Sequence, residues 1–131
     1  MLYLIADMWS RVKVALKRQR EKVRVLNSKL CEKALVLVED LGYLNKHQKL
    51  SIKHLTVFLR YVGKRSLIGF IVILSKPRSR YYMKVKKIKI LALKERYSNN
   101  IFFIFSTSLG LLIDIQCILF NRGGEPLFSI G

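Results

Sequence analysis

The spacing of apolar residues changes from one segment to the next in the first 60 residues, which limits the possible folds more than any other feature. The first apolar stripe recurs at intervals of three or four residues: Ile5, Met8, Val12 and Leu16. This spacing predicts an amphipathic helix, and the alternating run at residues 22–26 that follows it predicts a strand. Residues 30–41 carry a second helical stripe. Asn27 and Ser28 both offer N-cap chemistry before it, and Gly42 stands where a C-terminal cap is expected.

Two stretches rich in β-branched and aromatic residues come next, at residues 43–50 and 52–61, and both are typical of strands. The order helix–strand–helix–strand–strand predicts an N-terminal α/β domain. Residues 63–66 (Gly63-Lys64-Arg65-Ser66) indicate a turn or linker. We therefore divide the chain into an α/β domain at residues 1–63 and a second domain at residues 64–131.

The second half of the chain consists mainly of strand-length apolar runs separated by turn residues. These runs are residues 67–74, 101–105, 111–113 and 127–130. Residues 84–94 mix basic and apolar side chains, and their spacing leaves helix and strand equally open. The second domain is therefore predicted to be mostly β, and the whole chain to be of the α+β class.

Positive charge is the most unusual feature of the composition. The chain has 25 Lys and Arg against 8 Asp and Glu, a formal charge of +17, while 51% of its residues are hydrophobic. The apolar content is sufficient for a folded core, and the charge does not help folding because like charges repel. A folded surface that binds a polyanion is expected, either a nucleic acid or an anionic membrane surface.

A membrane-associated protein is the alternative, because residues 101–120 form a mostly apolar window of the length that crosses a bilayer. Asp114 lies inside this window, at a cost of about 2.5–3.5 kcal/mol for a charged group at the centre of a membrane. Five small or polar residues dilute the window further: Ser106, Thr107, Ser108, Gly110 and Gln116. Strand, turn and strand are favoured over one continuous helix.

The sequence contains little that could perform catalysis. His47 and His54 are the only histidines, and no acid–base or metal-ligand cluster surrounds either of them. Cys31 and Cys117 lie far apart, as expected of reduced thiols packed as small apolar residues. The sequence therefore predicts no enzyme activity, no cofactor, no metal and no small-molecule substrate.

Three polar segments carry residues suited to nucleic acid. The turn at residues 75–82 combines cations with tyrosines, so that phosphates and unpaired bases could both be contacted. Residues 106–110 place three hydroxyls before a glycine, which suits the wide minor groove of an RNA helix, although turn capping is an equal alternative. In residues 123–125, two glycines would permit close approach to a partner and Glu125 could accept hydrogen bonds.

Taken in order, these segments resemble the family of the eighth protein of the small ribosomal subunit, the bacterial S8 family. The matching motifs are Ile5-Ala6-Asp7-Met8, the helix from Ser28 to Gly42-Tyr43, Ser75-Lys76-Pro77 with Arg80 and Tyr82, Ser106-Thr107-Ser108-Leu109-Gly110 with Asp114, and Gly123-Gly124-Glu125. The resemblance covers nearly the whole chain. The ordered set is specific, although each motif alone is not.

The resemblance implies an N-terminal α/β domain packed on a mostly antiparallel β domain. It also implies a structural protein of translation that binds the central domain of small-subunit rRNA, beside neighbouring ribosomal proteins. The implied RNA-binding residues are Ser106, Thr107, Ser108, Gly110, Gly124 and Glu125, supported by Lys76, Arg78, Arg80 and Tyr82. Arg78 stands where the family has glycine, and the segment between Tyr82 and Ile101 is longer and more basic than usual.

The amino-acid usage indicates an origin. Lys, Ile, Phe, Tyr and Asn are abundant while Gly and Pro are sparse, as expected of AT-rich coding sequence. The start of the chain lacks the basic region of a secretory signal and does not resemble a transit peptide. We therefore expect an organelle-encoded protein of the mitochondrial matrix, in the mitochondrial ribosome, with a plastid or bacterial cytoplasm as alternatives.

Overall fold

A computed structural model describes the backbone of residues 2–74, 81–99 and 101–131, and the side chains of residues 4–74, 81–95 and 101–131. The chain forms two compact units, Met1–Gly69 and Phe70–Gly131. The boundary between the packed units therefore follows residue 69, six residues after residue 63, where the sequence predicted the domain boundary. The assignment of residues 1–63 and 64–131 as separate domains stays a prediction.

Two helices provide much of the core of the first unit. Helix α1 (Leu2–Lys17) buries the predicted residues Ile5, Met8 and Val12, together with Trp9. Of the two predicted N-cap residues, Ser28 caps helix α2 (Lys29–Asp40): its hydroxyl accepts a hydrogen bond of 3.1 Å from the backbone N–H of Cys31. Both predicted helices are confirmed.

The strands of the first unit are shorter than the sequence indicates. Strands β1 (Lys22–Leu26), β2 (Gln48–Lys49) and β3 (His54–Phe58) form an antiparallel sheet in the order β1-β3-β2. Strand β1 is confirmed, whereas the stretches 43–50 and 52–61 each contain a short strand and additional loop. The turn predicted at residues 63–66 is part of a small hairpin. Gly63 and Lys64 connect β4 (Tyr61–Val62) to β5 (Arg65–Ser66).

The second unit is built on a four-stranded antiparallel sheet. Its strands are β6 (Ile71–Ile73), β7 (Phe102–Thr107), β8 (Gly110–Ile113) and β9 (Glu125–Ile130), in the order β6-β9-β7-β8. Helices α3 (Val85–Asn99) and α4 (Asp114–Leu119) complete the unit. A buried cluster joins the first turns of α3 to the sheet and to α4: Met83, Ile88, Phe103, Phe105 and Cys117.

The α+β class is confirmed, with N-terminal helices and strands followed by a C-terminal antiparallel sheet. One strand is shorter than predicted, because the strand expected at 67–74 extends only over Ile71–Ile73. The segment 84–94, for which the spacing allowed helix or strand, is helical from Val85 onward, within α3. The apolar window 101–120 folds into β7, β8 and α4, and no helix among the described residues is long and apolar enough to cross a membrane.

Candidate nucleic-acid interface

The hydroxyl-bearing segment forms the tight turn between β7 and β8. Thr107 and Gly110 are paired across this hairpin, and Gly110 has a φ of +110°, which favours glycine. The hydroxyl of Thr107 donates to the carbonyl oxygen of Gly110 at 2.8 Å and accepts from the backbone N–H of Leu109 at 3.1 Å. The threonine therefore holds the turn in shape, and Ser108 lies exposed at its tip.

Gly124 is positioned by close approach to two neighbouring segments. Its backbone N–H donates to the carbonyl oxygen of Met83 at 3.0 Å, and its own carbonyl oxygen accepts from Met83 N–H at 2.8 Å. A Cβ added at Gly124 would lie 2.5 Å from the carbonyl oxygen of Ser106 and 2.8 Å from Cγ2 of Thr107. The close approach that a glycine permits here is thus made within the chain itself.

Gly123 has a similar role toward Tyr82. An added Cβ would lie 2.6 Å from the carbonyl oxygen of Met83 and 2.8 Å from the hydroxyl oxygen of Tyr82. The Tyr82 side chain nevertheless remains 65% exposed. The two glycines therefore bring an exposed tyrosine and the β7–β8 turn to the same end of the sheet.

Glu125 begins β9 directly opposite Ser106 on β7. Opposite residues of an antiparallel pair project from the same face, so the hydroxyl and the carboxylate are neighbours. Oε1 of Glu125 is buried, and no described residue gives it a hydrogen bond. An unsatisfied buried acceptor costs about 1–3 kcal/mol, so this carboxylate retains the capacity to accept a donor.

We call these residues the hydroxyl surface: Tyr82, Ser106, Thr107, Ser108, Gly110, Gly124 and Glu125. All seven were predicted from the sequence, and the structure brings them to one end of the C-terminal sheet.

Lys76, Arg78 and Arg80 lie outside the described residues. The sequence pattern did not indicate the structural contribution of Met83 or the close approach of Tyr82 to Gly123. The pair Gly123-Gly124 predicted close approach to a partner, but the sequence did not show that the approaching groups belong to the chain itself.

Cations dominate the described surface. Every described Lys and Arg side chain is exposed, as expected from the cost of burying charge. Arg11 lies 3.1 Å from Asp7, and Lys49 lies 3.7 Å from Glu32. Eight carboxylates cannot neutralise 25 cations, so most of the positive charge is available to a polyanion.

His47 and the two cysteines contribute to the fold and do not belong to the hydroxyl surface. His47 is 14% exposed, and its Nδ1 and its backbone N–H both lie 2.7 Å from Oε1 of Glu39, so it tethers the loop after α2. Burial raises the pKa of Cys31, while burial and the nearby Asp114 charge raise the pKa of Cys117 to about 11. Both thiols are free and buried, as predicted. No group of His, Cys, Asp and Glu within the described ranges could hold a metal ion.

A strongly basic surface on a folded α+β scaffold is typical of proteins that bind nucleic acid. Within that class, the family model described as ribosomal protein S8 matches residues 4–130. The chain belongs to this family and is a structural protein of the small ribosomal subunit, with a role in translation.

Individual relatives agree with the family. The chain is 35% identical over 127 residues to the small ribosomal subunit protein uS8m of Acanthamoeba castellanii, covering 97% of this chain and 98% of that protein. It is 33% identical over 129 residues to protein uS8 of Wolbachia pipientis subsp. Culex pipiens, and 34% identical over 130 residues to protein uS8 of Dictyoglomus thermophilum. Each of these alignments covers 96% of this chain and 95% of the relative.

Proposed function

We propose that the chain binds the central domain of small-subunit rRNA through the hydroxyl surface and supports assembly of the subunit. The observation that carries this proposal is the convergence of Ser106, Ser108 and Glu125 at one end of the C-terminal sheet. These short groups would contact the minor groove of an RNA helix, where 2′-hydroxyls and base edges are displayed.

The geometry suggests different tasks for the residues of this surface. The Thr107 hydroxyl is engaged inside the turn, so Thr107 would position its neighbours. The hydroxyls of Ser106 and Ser108 have no hydrogen bond among the described residues and would contact RNA directly. A donor from RNA that reaches Glu125 would offset the cost of its unsatisfied oxygen. The exposed Lys and Arg would supply attraction that does not depend on sequence.

The test is a binding titration with a central-domain rRNA helix and an unrelated RNA duplex of equal length. Ser108→Ala and Glu125→Gln should each weaken binding to the rRNA helix by roughly tenfold. Ser108→Ala would remove a neutral hydrogen bond and Glu125→Gln a charge-assisted one, and each would leave a polar group of the RNA without a partner. Ser51→Ala is the matched control, because Ser51 is an exposed serine of the other unit. Equal affinity of the unaltered protein for both RNAs would contradict specific recognition.

We also propose that the protein acts in a mitochondrial ribosome. The similarity to uS8m of Acanthamoeba castellanii supports this assignment. The similarity to bacterial uS8 proteins supports a ribosomal location but does not distinguish a mitochondrial ribosome from a bacterial one. Sedimentation of mitochondrial extracts of the source organism tests it. The protein should move with the small mitochondrial subunit, and its recovery only with plastid or other ribosomes would contradict the proposal.

A further inference from the structure

A pocket of about 400 Å³ opens beside the first turns of α3, next to the hydroxyl surface. It is lined by Tyr81, Tyr82, Lys84, Lys86, Lys87 and Ile90. This volume lies within the range of about 300–1,000 Å³ that is usual for small-ligand sites. Apart from Tyr82, none of these residues belongs to the hydroxyl surface.

The aromatic side chains of the pocket are not packed into the core. The ammonium group of Lys87 donates to the hydroxyl of Tyr81 and lies 4.6 Å from the centre of its ring. Tyr81 is still 47% exposed and Tyr82 65% exposed. Rings that served only to fill the core would be buried, so much of this aromatic surface remains available to a ligand.

The charged part of the pocket is unbalanced. Lys84, Lys86 and Lys87 are all exposed, and no carboxylate lines the pocket among the residues that the structure describes. Three lysines that line one pocket concentrate positive charge there, and an anion held in the pocket would offset that charge. The pocket thus combines an open aromatic surface with an excess of positive charge.

We propose that this pocket binds an unpaired nucleotide of RNA, with the base stacked on Tyr81 and the flanking phosphates held by the three lysines. Aromatic rings with adjacent cations are the usual means of holding single-stranded nucleic acid. Tyr82 contacts Gly123 and also lines the pocket, so an RNA helix on the hydroxyl surface could continue into the pocket as a single strand. This inference rests on the proposed function for the identity of the natural RNA.

The experiment uses the full-length protein and a short single-stranded oligoadenylate, with inorganic polyphosphate of matched charge as a probe that lacks bases. Tyr81→Ala should weaken oligoadenylate binding by roughly tenfold and leave polyphosphate binding unchanged, because only the base can stack. Tyr81→Phe keeps the ring and should keep most of the oligoadenylate affinity. Equal affinity of the unaltered protein and Tyr81→Ala for oligoadenylate would overturn the proposal.

Lysine variants test the phosphate contacts. Lys87→Gln should weaken both probes and reduce the log–log salt slope for oligoadenylate by about 0.7. Lys89→Gln is the matched control, because Lys89 is an exposed lysine of the same helix that does not line the pocket. The same loss in both variants would show a diffuse charge effect and overturn the assignment of the pocket.

The paired rRNA helix separates this inference from the proposed function. Tyr81→Ala should leave binding of a fully paired helix unchanged, whereas Glu125→Gln should weaken it. If the helix binds specifically but oligoadenylate is insensitive to Tyr81, only the pocket assignment fails. If oligoadenylate binding depends on Tyr81 but the rRNA helix is not recognised, only the proposed function fails.

Discussion

Ser106 and Glu125 stand directly opposite each other on β7 and β9, so a hydroxyl and a carboxylate from distant parts of the sequence are neighbours on one face of the sheet. The backbones of both residues belong to the sheet, but neither side chain forms a hydrogen bond among the described residues, and Oε1 of Glu125 is left unsatisfied. The pair is therefore a local unit whose polar groups are available to an RNA helix.

This arrangement predicts that the two residues act together in RNA binding. Ser106→Ala and Glu125→Gln should each weaken binding to the central-domain helix by about tenfold. The double variant should lose less than the sum of the two changes in binding free energy, because neighbouring contacts to one ligand are coupled. A double-mutant cycle measured by titration checks this. Strict additivity would indicate that the residues contact separate parts of the RNA or do not contact it.

Gly124→Ala should disrupt the hydroxyl surface and destabilise the C-terminal unit. The new methyl group would lie 2.5 Å from the carbonyl oxygen of Ser106, so backbone must move, at a cost of about 1–3 kcal/mol. Chemical denaturation and RNA titration measure the two effects. Gly63→Ala is the control, since Gly63 has a φ of +64° but open space around it and lies in the other unit. It should reduce stability by about 1 kcal/mol without changing RNA affinity.

Thr107 and Ser108 should respond differently to loss of their hydroxyls. Thr107→Val removes two hydrogen bonds inside the turn and should lower both stability, by about 1–2 kcal/mol, and RNA affinity. Thr107→Ser should restore most of both. Ser108→Ala should lower RNA affinity alone, because Ser108 is exposed. Stability and affinity measured on the same three variants check the distinction, and a stable Thr107→Val with full affinity would contradict it.

Stability should fall as the pH rises from about 9 to about 11, in part because of Cys117. Burial and the nearby Asp114 raise the pKa of the folded thiol to about 11, from an ordinary value of 9.0. Between these values the unfolded chain loses a proton that the folded chain keeps, so unfolding becomes more favourable by at most about 3 kcal/mol. Cys117→Ala should show a shallower decline than the unaltered protein. Denaturation at a series of pH values measures both slopes, and parallel slopes would contradict this origin.

The sequence predicted the elements whose apolar spacing was regular. Helices α1 and α2 and strands β1, β7, β8 and β9 all fall where the pattern placed them. Helix α3 was left open because lysines and apolar residues alternate in it without a clear period. Helix α4 was not predicted, because it lies inside the apolar window 101–120, where the residue types favour strand, turn and strand.

The candidate site was predicted as a set of residues but not as an arrangement. That Ser106 faces Glu125 depends on the register of β7 and β9, which includes an irregularity between Ile104 and Phe105. The inward use of the Thr107 hydroxyl depends on the geometry of the turn. The contact between Tyr81 and Lys87 forms with Lys87 in helix α3. The spacing of apolar residues in the segment 84–94 did not distinguish a helix from a strand.

The strand order β6-β9-β7-β8 has a consequence for synthesis of the chain. Strand β9 lies between β6 and β7, and it is the last of the four to be translated. A nascent chain that has not yet exposed β9 lacks the bridge between the two halves of the sheet. It also lacks Glu125, so the sheet and the hydroxyl surface are completed in the same step. A product that ends before residue 125 would thus have neither a continuous four-stranded sheet nor a complete hydroxyl surface.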